Sequence, residues 1–211
     1  MKTLATLLLL AATPLCAAEK GFTSLFNGKD LTGWKVNENP ESYSVKDGAI
    51  VAKGPRSHCF YVGKYKKHMF RDFEVKVDVM TRPNSNGGFY IDTEYQEKGF
   101  PSSGFEIQVN TTHSDWRKSG SLYNVQDIRE DVLKRIGIKD DAWFTERIVQ
   151  KGQTITVYLN DEKVVEWTQP ADWKGANGTT GRAIHPGTFA LQGHDPGSEV
   201  HYKNIRVKLL K

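Results

Sequence analysis

The sequence predicts an all-β fold, a single β-sandwich of antiparallel sheets. Many short runs alternate apolar with polar residues, and turns rich in Gly, Asn and Asp separate them. Only one short segment carries helical spacing.

The elements follow in chain order. Tyr43 to Val45 and Ala49 to Ala52 flank Lys46-Asp47-Gly48, and an Asp-Gly pair suits a tight hairpin. Phe73, Val75, Val77 and Val79 alternate with Glu74, Lys76 and Asp78, the pattern of a half-buried strand. Gly88 to Tyr95 and Gly104 to Asn110 are the next strands, and Ser121 to Val125 is a shorter candidate. Ile128, Val132 and Ile136 are spaced i, i+4, i+8, which predicts a turn or two of helix between Asp127 and Ile136. Phe144 to Gln150, Thr154 to Leu159 and Lys163 to Trp167 form a meander through Lys151-Gly152 and Asn160-Asp161-Glu162. Ala171 to Ile184, rich in Gly, Asn and Thr, reads as a long loop. Thr188 to His194 and Glu199 to Leu209 close the chain around Asp195-Pro196-Gly197-Ser198. In the last strand Val200 and Tyr202 share one parity while Ile205, Val207 and Leu209 share the other. A bulge near Asn204 reconciles them.

The first residues do not belong to this pattern. Lys2, the apolar run Leu4 to Leu10 and the small residues at Ala17-Ala18 read as a secretory signal peptide over residues 1–18. That leaves residues 19–211 as one domain, expected to be exported to the periplasm or secreted. A lipid anchor on Cys16 is the other reading, and Leu15 fits it poorly. No later apolar run is long enough for a membrane span. Once Cys16 has left, Cys59 is the lone cysteine and an intrachain disulfide is excluded. The net charge is +4, from 29 Lys+Arg against 25 Asp+Glu, and the charges are interspersed. Without a dense basic stripe, a nucleic-acid partner is not expected.

Several chemistries are excluded by pattern. No nucleophile elbow is present, and His58 and Cys59 are neighbours on a strand, so they face opposite ways. The histidines at 58, 68, 113, 185, 194 and 201 lack the helical spacing of a zinc site. No cofactor is expected, although a structural calcium ion on the sandwich surface stays open. The acid pair of retaining β-glucanases has no counterpart, since Tyr90 occupies the nucleophile's place before Asp92 and Glu94.

Two strands do carry chemistry. In Gly104 to Val109, Glu106 and Gln108 share one face, and in Leu191 to His194, Gln192 and His194 do. Solvent exposure explains either strand alone. Both strands in one sheet would give a surface with a carboxylate, two amides and an imidazole, able to bind sugar hydroxyls and to move protons.

The order of motifs resembles one known family. Phe22 to Trp34 (FTSLFNGKDLTGW), Asn84 to Ile91 (NSNGGFYI), Gly104 to Val109, Ser119 to Val125 (SGSLYNV) and Phe189 to Leu210 are similar to segments of the 3-keto-disaccharide hydrolase domain family. The resemblance implies a concanavalin A-like jelly roll with a concave groove. It also implies cleavage of glycosides whose sugar carries a ketone at C3, with a sugar oxidoreductase as the functional partner that makes the ketone. Under this resemblance His194 is the expected base, and Glu106 orients it or shares the acid/base work. Gln108, Gln192 and Tyr123 would position the ring or stabilise enolate charge. Lys118 would bring positive charge near the groove, a solvated lysine being the plainer reading, and Trp116 or Trp173 would offer a stacking platform. Trp34 and Trp143, in strand-like contexts, are expected in the core or at its edge. Asp92 stands where many members look to carry an arginine, a charge reversal expected to change substrate preference or to abolish activity. The alternative function is a non-catalytic carbohydrate-binding module on the same sandwich.

Overall fold

A computed structural model of the chain describes residues 19–175 and 181–211. The expected signal peptide, residues 1–18, lies outside the described residues. The strands are β1 Thr23–Ser24, β2 Trp34–Val36, β3 Tyr43–Lys46, β4 Ala49–Lys53, β5 Ser57–Tyr61, β6 Phe73–Thr81 and β7 Asn86–Thr93. They continue with β8 Phe105–Asn110, β9 Phe144–Lys151, β10 Thr154–Leu159, β11 Glu162–Thr168, β12 Thr188–Gly193 and β13 Glu199–Leu209. One helix, α1, spans Glu130–Ile136. It ends at Gly137, whose left-handed φ of 79° suits a residue without a Cβ.

All pairings are antiparallel, and they make two sheets. The larger runs β11-β10-β9-β6-β13-β4-β3, with β1 added on β13. The smaller runs β2-β5-β12-β7-β8. The predicted bulge is present: the register of β13 on β6 shifts between Lys203 and Arg206, and Asn204 has φ 51°. The Asp47-Gly48 turn has both φ angles positive, as a two-residue hairpin requires. Ser121 to Val125 is not a strand. Leu122 makes only isolated bridges to Ile107 and Gln126, because the segment turns back on itself there.

The core lies between the sheets. Val75, Val77 and Val79 of β6 meet Phe89, Ile107 and Leu191 of the smaller sheet, all fully buried. Phe189 stacks on Phe70 at 4.6 Å and meets Phe73 edge-on at 5.1 Å, contributing roughly 0.5–1.5 kcal/mol per pair beyond area burial. Two polar residues share this layer. Glu146 and Gln150 fall on the inward parity of β9, and both are buried.

A bulge in β7 reassigns Asp92. Between the pairs Ala190–Tyr90 and Thr188–Thr93, β7 has one residue more than β12, and Asp92 takes φ 54°. Asp92 therefore leaves the face of Tyr90 and turns into the inter-sheet layer. There, with its amide nitrogen turned to the carboxylate, Gln150 donates to both oxygens at 2.9 and 2.7 Å. Burial drives the Asp92 carboxyl pKa well above the usual range. The expectation of Asp92 as a groove residue is thus corrected: its carboxyl group faces the core.

Candidate active site

The outer face of the smaller sheet forms the groove. Register alone builds it. Tyr90 of β7 lies opposite Glu106 of β8, and Gly88 lies opposite Gln108. On the other side of β7, Gly88 pairs with Gln192 of β12, and Gln192 pairs with His58 of β5. Directly paired residues project to the same face, so His58, Gln192, Gly88 and Gln108 form one row across four strands. Phe105, Ile107 and Val109 take the opposite parity and enter the core.

Glu106 and Gln108 are not solvated. Their exposures are 5% and 1%, because the loops after β7 and β8 fold over the sheet. Glu106 accepts from the Tyr90 hydroxyl at 2.8 Å and from Gln192 Nε2 at 2.9 Å. Gln192 Nε2 also donates to the Tyr90 oxygen at 3.1 Å. Gly88 makes room for the acid, since a Cβ there would overlap Glu106 Oε1 and stand 2.9 Å from its Cγ. Burial pushes the Glu106 pKa up to about 7, against the lowering effects of the Tyr90 hydroxyl, the Arg182 charge and the Gln192 amide. An acid that titrates near neutrality can serve as donor or acceptor of a proton.

A cavity of about 220 Å³ opens over these groups. Its floor is Tyr90, Glu106, Gln108 and Gln192. Its rim is Asn86, Phe100, Tyr123, Arg182 and His194. Gln108 Nε2 donates to Asn86 Oδ1 at 3.3 Å, while the side-chain oxygens of Gln108 and Gln192 lack a partner among the described residues.

His194 follows β12 directly. Its Nδ1 lies 2.7 Å from Asp195 Oδ2, and Asp195 is held in turn by Ser198 Oγ and the Gly197 N–H, both at 2.8 Å. Glu106 does not orient His194: its carboxylate is taken up by Tyr90 and Gln192, and Asp195 holds the imidazole. A carboxylate on Nδ1 favours the proton there and leaves Nε2 to act as a base.

Tyr123 reaches the rim from the turn after β8, its hydroxyl 3.5 Å from Asp115 Oδ2. Lys118 and Trp116 lie elsewhere. Lys118 is neither in the cavity nor solvated: it is buried, and Nζ donates to His113 O at 2.7 Å, Asp115 O at 2.9 Å and Asn110 Oδ1 at 3.4 Å. It ties down the loop after β8. Trp116 is exposed beside that loop, with the Arg129 and Arg117 guanidinium carbons 4.6 and 4.8 Å from its ring centre. Trp173 packs on Trp167 at 4.9 Å and donates to Arg182 O, so it supports the rim instead of lining it. Trp34 is in the core as expected, whereas Trp143 is 40% exposed.

Tyr90, Asn86, Phe100 and Arg182 also line the cavity, and none of them is among the site residues expected from the sequence. Tyr90 was detectable, because it shares parity with Gly88 on a strand next to Glu106. Arg182 sits in a Gly-rich loop whose course no periodicity encodes. Among the described residues no cluster of three or more His, Cys, Asp or Glu could hold a metal ion. Cys59 is buried on the inner face of β5, and burial raises its thiol pKa out of the reactive range.

The fold is a jelly-roll sandwich of two antiparallel sheets with a polar cavity on the outer face of the smaller one, the class of carbohydrate-active sandwiches among the proteins it resembles. Known proteins agree. The profile of the 3-keto-alpha-glucoside-1,2-lyase-like domain matches residues 21–208, and the chain belongs to that family. A candidate glycosyl hydrolase of Parabacteroides distasonis, solved by crystallography, is 25% identical with a TM-score of 0.74, over 90% of this chain and 94% of its own. The Bacillus licheniformis β-glucanase shares the fold at 11% identity and TM-score 0.55, over 90% of this chain and 97% of its own. The carbohydrate-binding module CBM66 of Bacillus subtilis does so at 11% and 0.52, over 83% of this chain and 95% of its own. No curated protein sequence matches the chain. No helix among the described residues is long and apolar enough to cross a membrane.

Proposed function

We propose that the chain is an exported enzyme that cleaves the glycosidic bond of 3-keto glycosides, by elimination followed by hydration. One observation carries this reading: one cavity is lined by two proton-transfer groups, Glu106 on β8 and His194 just after β12, with amides and a cation around them.

The C3 ketone acidifies the proton on C2. His194 Nε2 removes that proton, and the electron pair is held as an enolate at the C3 oxygen. Arg182 and the Tyr123 hydroxyl stabilise that charge. The enolate then collapses, C1 and C2 become doubly bonded, and the C1–O bond breaks. Glu106, protonated near neutral pH, gives its proton to the departing oxygen. Water adds at C1, the C2 carbon regains a proton, and the net change is one water consumed per bond broken. No oxocarbenium ion forms, so no carboxylate nucleophile is needed and Tyr90 can stand in its place. The family description, a 1,2-lyase, fits the elimination half of this sequence.

A sugar oxidoreductase would supply the ketone, and the apolar leader would deliver the enzyme to the compartment where glycosides arrive. The experiment is incubation with 3-keto-trehalose or a 3-keto aryl glucoside. Release of glucose or aglycone is the expected result. Saturable binding with no release identifies a carbohydrate-binding module instead.

A further inference from the structure

We propose that the groove continues past Gln192 beneath Phe100, and that His58 is the hydrogen-bonding group of a second sugar subsite. The inference rests on the reading of the cavity as a 3-keto glycoside site, and it adds where the departing ring sits.

His58 is the last member of the row that carries Gln192 and Gln108. It is fully buried, and neither ring nitrogen has a hydrogen-bond partner among the described residues. A buried polar group of this kind is a cost in the free protein, and nearly all such groups find a partner. The space around it is aromatic. Tyr90 lies edge-on at 5.5 Å, Phe100 edge-on at 5.6 Å and Phe60 tilted at 6.3 Å. Burial lowers the His58 pKa to about 3, so the imidazole is neutral at working pH and offers one donor and one acceptor. A sugar hydroxyl matches both, and the apolar ring walls suit the C–H face of a pyranose.

Phe100 stands between His58 and the solvent-facing side of the cavity. Phe100 lines the cavity, lies 6.2 Å from the His194 ring and covers His58 on its other side. Its ring is 43% exposed and so has solvent to swing into. The loop that carries it is fixed: Gln96 Nε2 donates to Lys98 O and Phe100 O, and Gly99 N donates to Glu38 Oε1. Arg56, held by Glu38 at 2.9 and 3.1 Å, lies 5.1 Å from the Phe100 ring. Rotation of the ring alone therefore lengthens the groove without unfolding the loop. Glu106 on β8 and His58 on β5 lie one row apart and three strands across, and two side chains bridge them: Gln192, bonded to the acid and paired in register with the imidazole, and Tyr90, bonded to the acid and edge-on to the imidazole. A glycosidic oxygen protonated by Glu106 thus places the ring it leaves with over His58.

The test uses the Glu106→Gln chain, which lacks the proposed proton donor and is expected to bind with slow turnover, and follows the imidazole 15N resonances of His58 and His194. With 3-keto-trehalose, both sets are expected to shift at saturation. With methyl 3-ketoglucoside, which has one ring, only His194 is expected to shift. In the otherwise unaltered enzyme, Phe100→Ala is expected to lower KM for the two-ring substrate at least threefold relative to the one-ring substrate. If 3-keto-trehalose moves His194 and leaves His58 unmoved, the second subsite is overturned and the proposed reaction stands. If neither imidazole moves with either sugar, the cavity is not the sugar site and both fall.

Discussion

The Tyr90 hydroxyl donates to Glu106 Oε2 at 2.8 Å across a directly opposed pair of residues on β7 and β8. Two strands of one sheet thereby fix both the position and the acidity of the acid. The burial that places Glu106 under the loops raises its pKa, and the tyrosine opposes that rise by favouring the charged form. Burial and then the Glu106 charge push the phenol's own pKa well up, so Tyr90 remains a donor throughout.

Removing the tyrosine hydroxyl should therefore make Glu106 a weaker acid. In Tyr90→Phe the lowering effect is lost while burial persists, so the titration midpoint moves above about 7. Glu106 must be protonated to assist the leaving group, so the alkaline limb of the kcat/KM profile should move to higher pH. An alkaline limb that stays put or moves down would separate Glu106 from that step. A carboxyl 13C titration gives the same answer without turnover.

Asp195 has a different task. It accepts from Ser198 Oγ and Gly197 N and lies 2.7 Å from His194 Nδ1. Asp195→Asn keeps the shape but can present an N–H to Nδ1, which moves the imidazole proton to Nε2 and removes the base. The expected loss in kcat is on the order of 10²-fold, the size of one general-base contribution, with KM changed far less. A fall in affinity with kcat intact would mean that the aspartate shapes the rim only.

Much of this arrangement was legible in the strand patterns, and the exceptions have physical causes. Alternation in Phe73–Val79 and Phe105–Val109 encodes which face is core, because one face of each strand must be dry. The same period misleads at Asp92, where one extra residue in β7 reverses the parity that Tyr90 sets. Glu146 and Gln150 interrupt the apolar face of β9, and only the fold supplies Gln150 with its partner, Asp92. Lys118 looked solvated because its acceptors, two loop carbonyls and the side chain of Asn110 at the end of β8, come together only when the loop after β8 folds. Arg182 and Phe100 reach the cavity from loops, whose paths depend on contacts that no repeat records.

The acid in the core should govern stability. Glu146 is fully buried, both carboxyl oxygens lack a partner among the described residues, and burial raises its pKa well above the usual carboxylate range. A pKa raised in the folded state means that the folded chain binds more protons, so stability is full below the ordinary glutamate range and declines as pH rises toward the folded pKa. Asp92 and Glu106 act in the same direction. Glu146→Leu removes the desolvated carboxyl and should stabilise by about 1–3 kcal/mol, raising the melting temperature by several degrees at pH 8 and less at pH 5. A variant that melts lower at pH 8 than the parent would show that the carboxyl is satisfied there.

Gly88 is the cheapest way to probe how closely the acid is placed. Its φ lies outside the left-handed region, so an alanine meets no backbone penalty and differs only by its methyl group. That methyl would overlap Glu106 Oε1 and lie 2.9 Å from Cγ and 3.0 Å from the carboxyl carbon. The sheet backbone cannot yield, because β7 is paired on both sides, so the carboxylate must move. Displacing a reacting group by an ångström costs on the order of 10² in rate. Gly88→Ala should thus fold normally by circular dichroism and lose about that much kcat/KM. Shortening the acid withdraws it from the methyl, so the double variant Gly88→Ala, Glu106→Asp should regain part of the lost activity, whereas Glu106→Asp alone should lose it. Full activity in Gly88→Ala would show that the position of Glu106 is not what the reaction depends on.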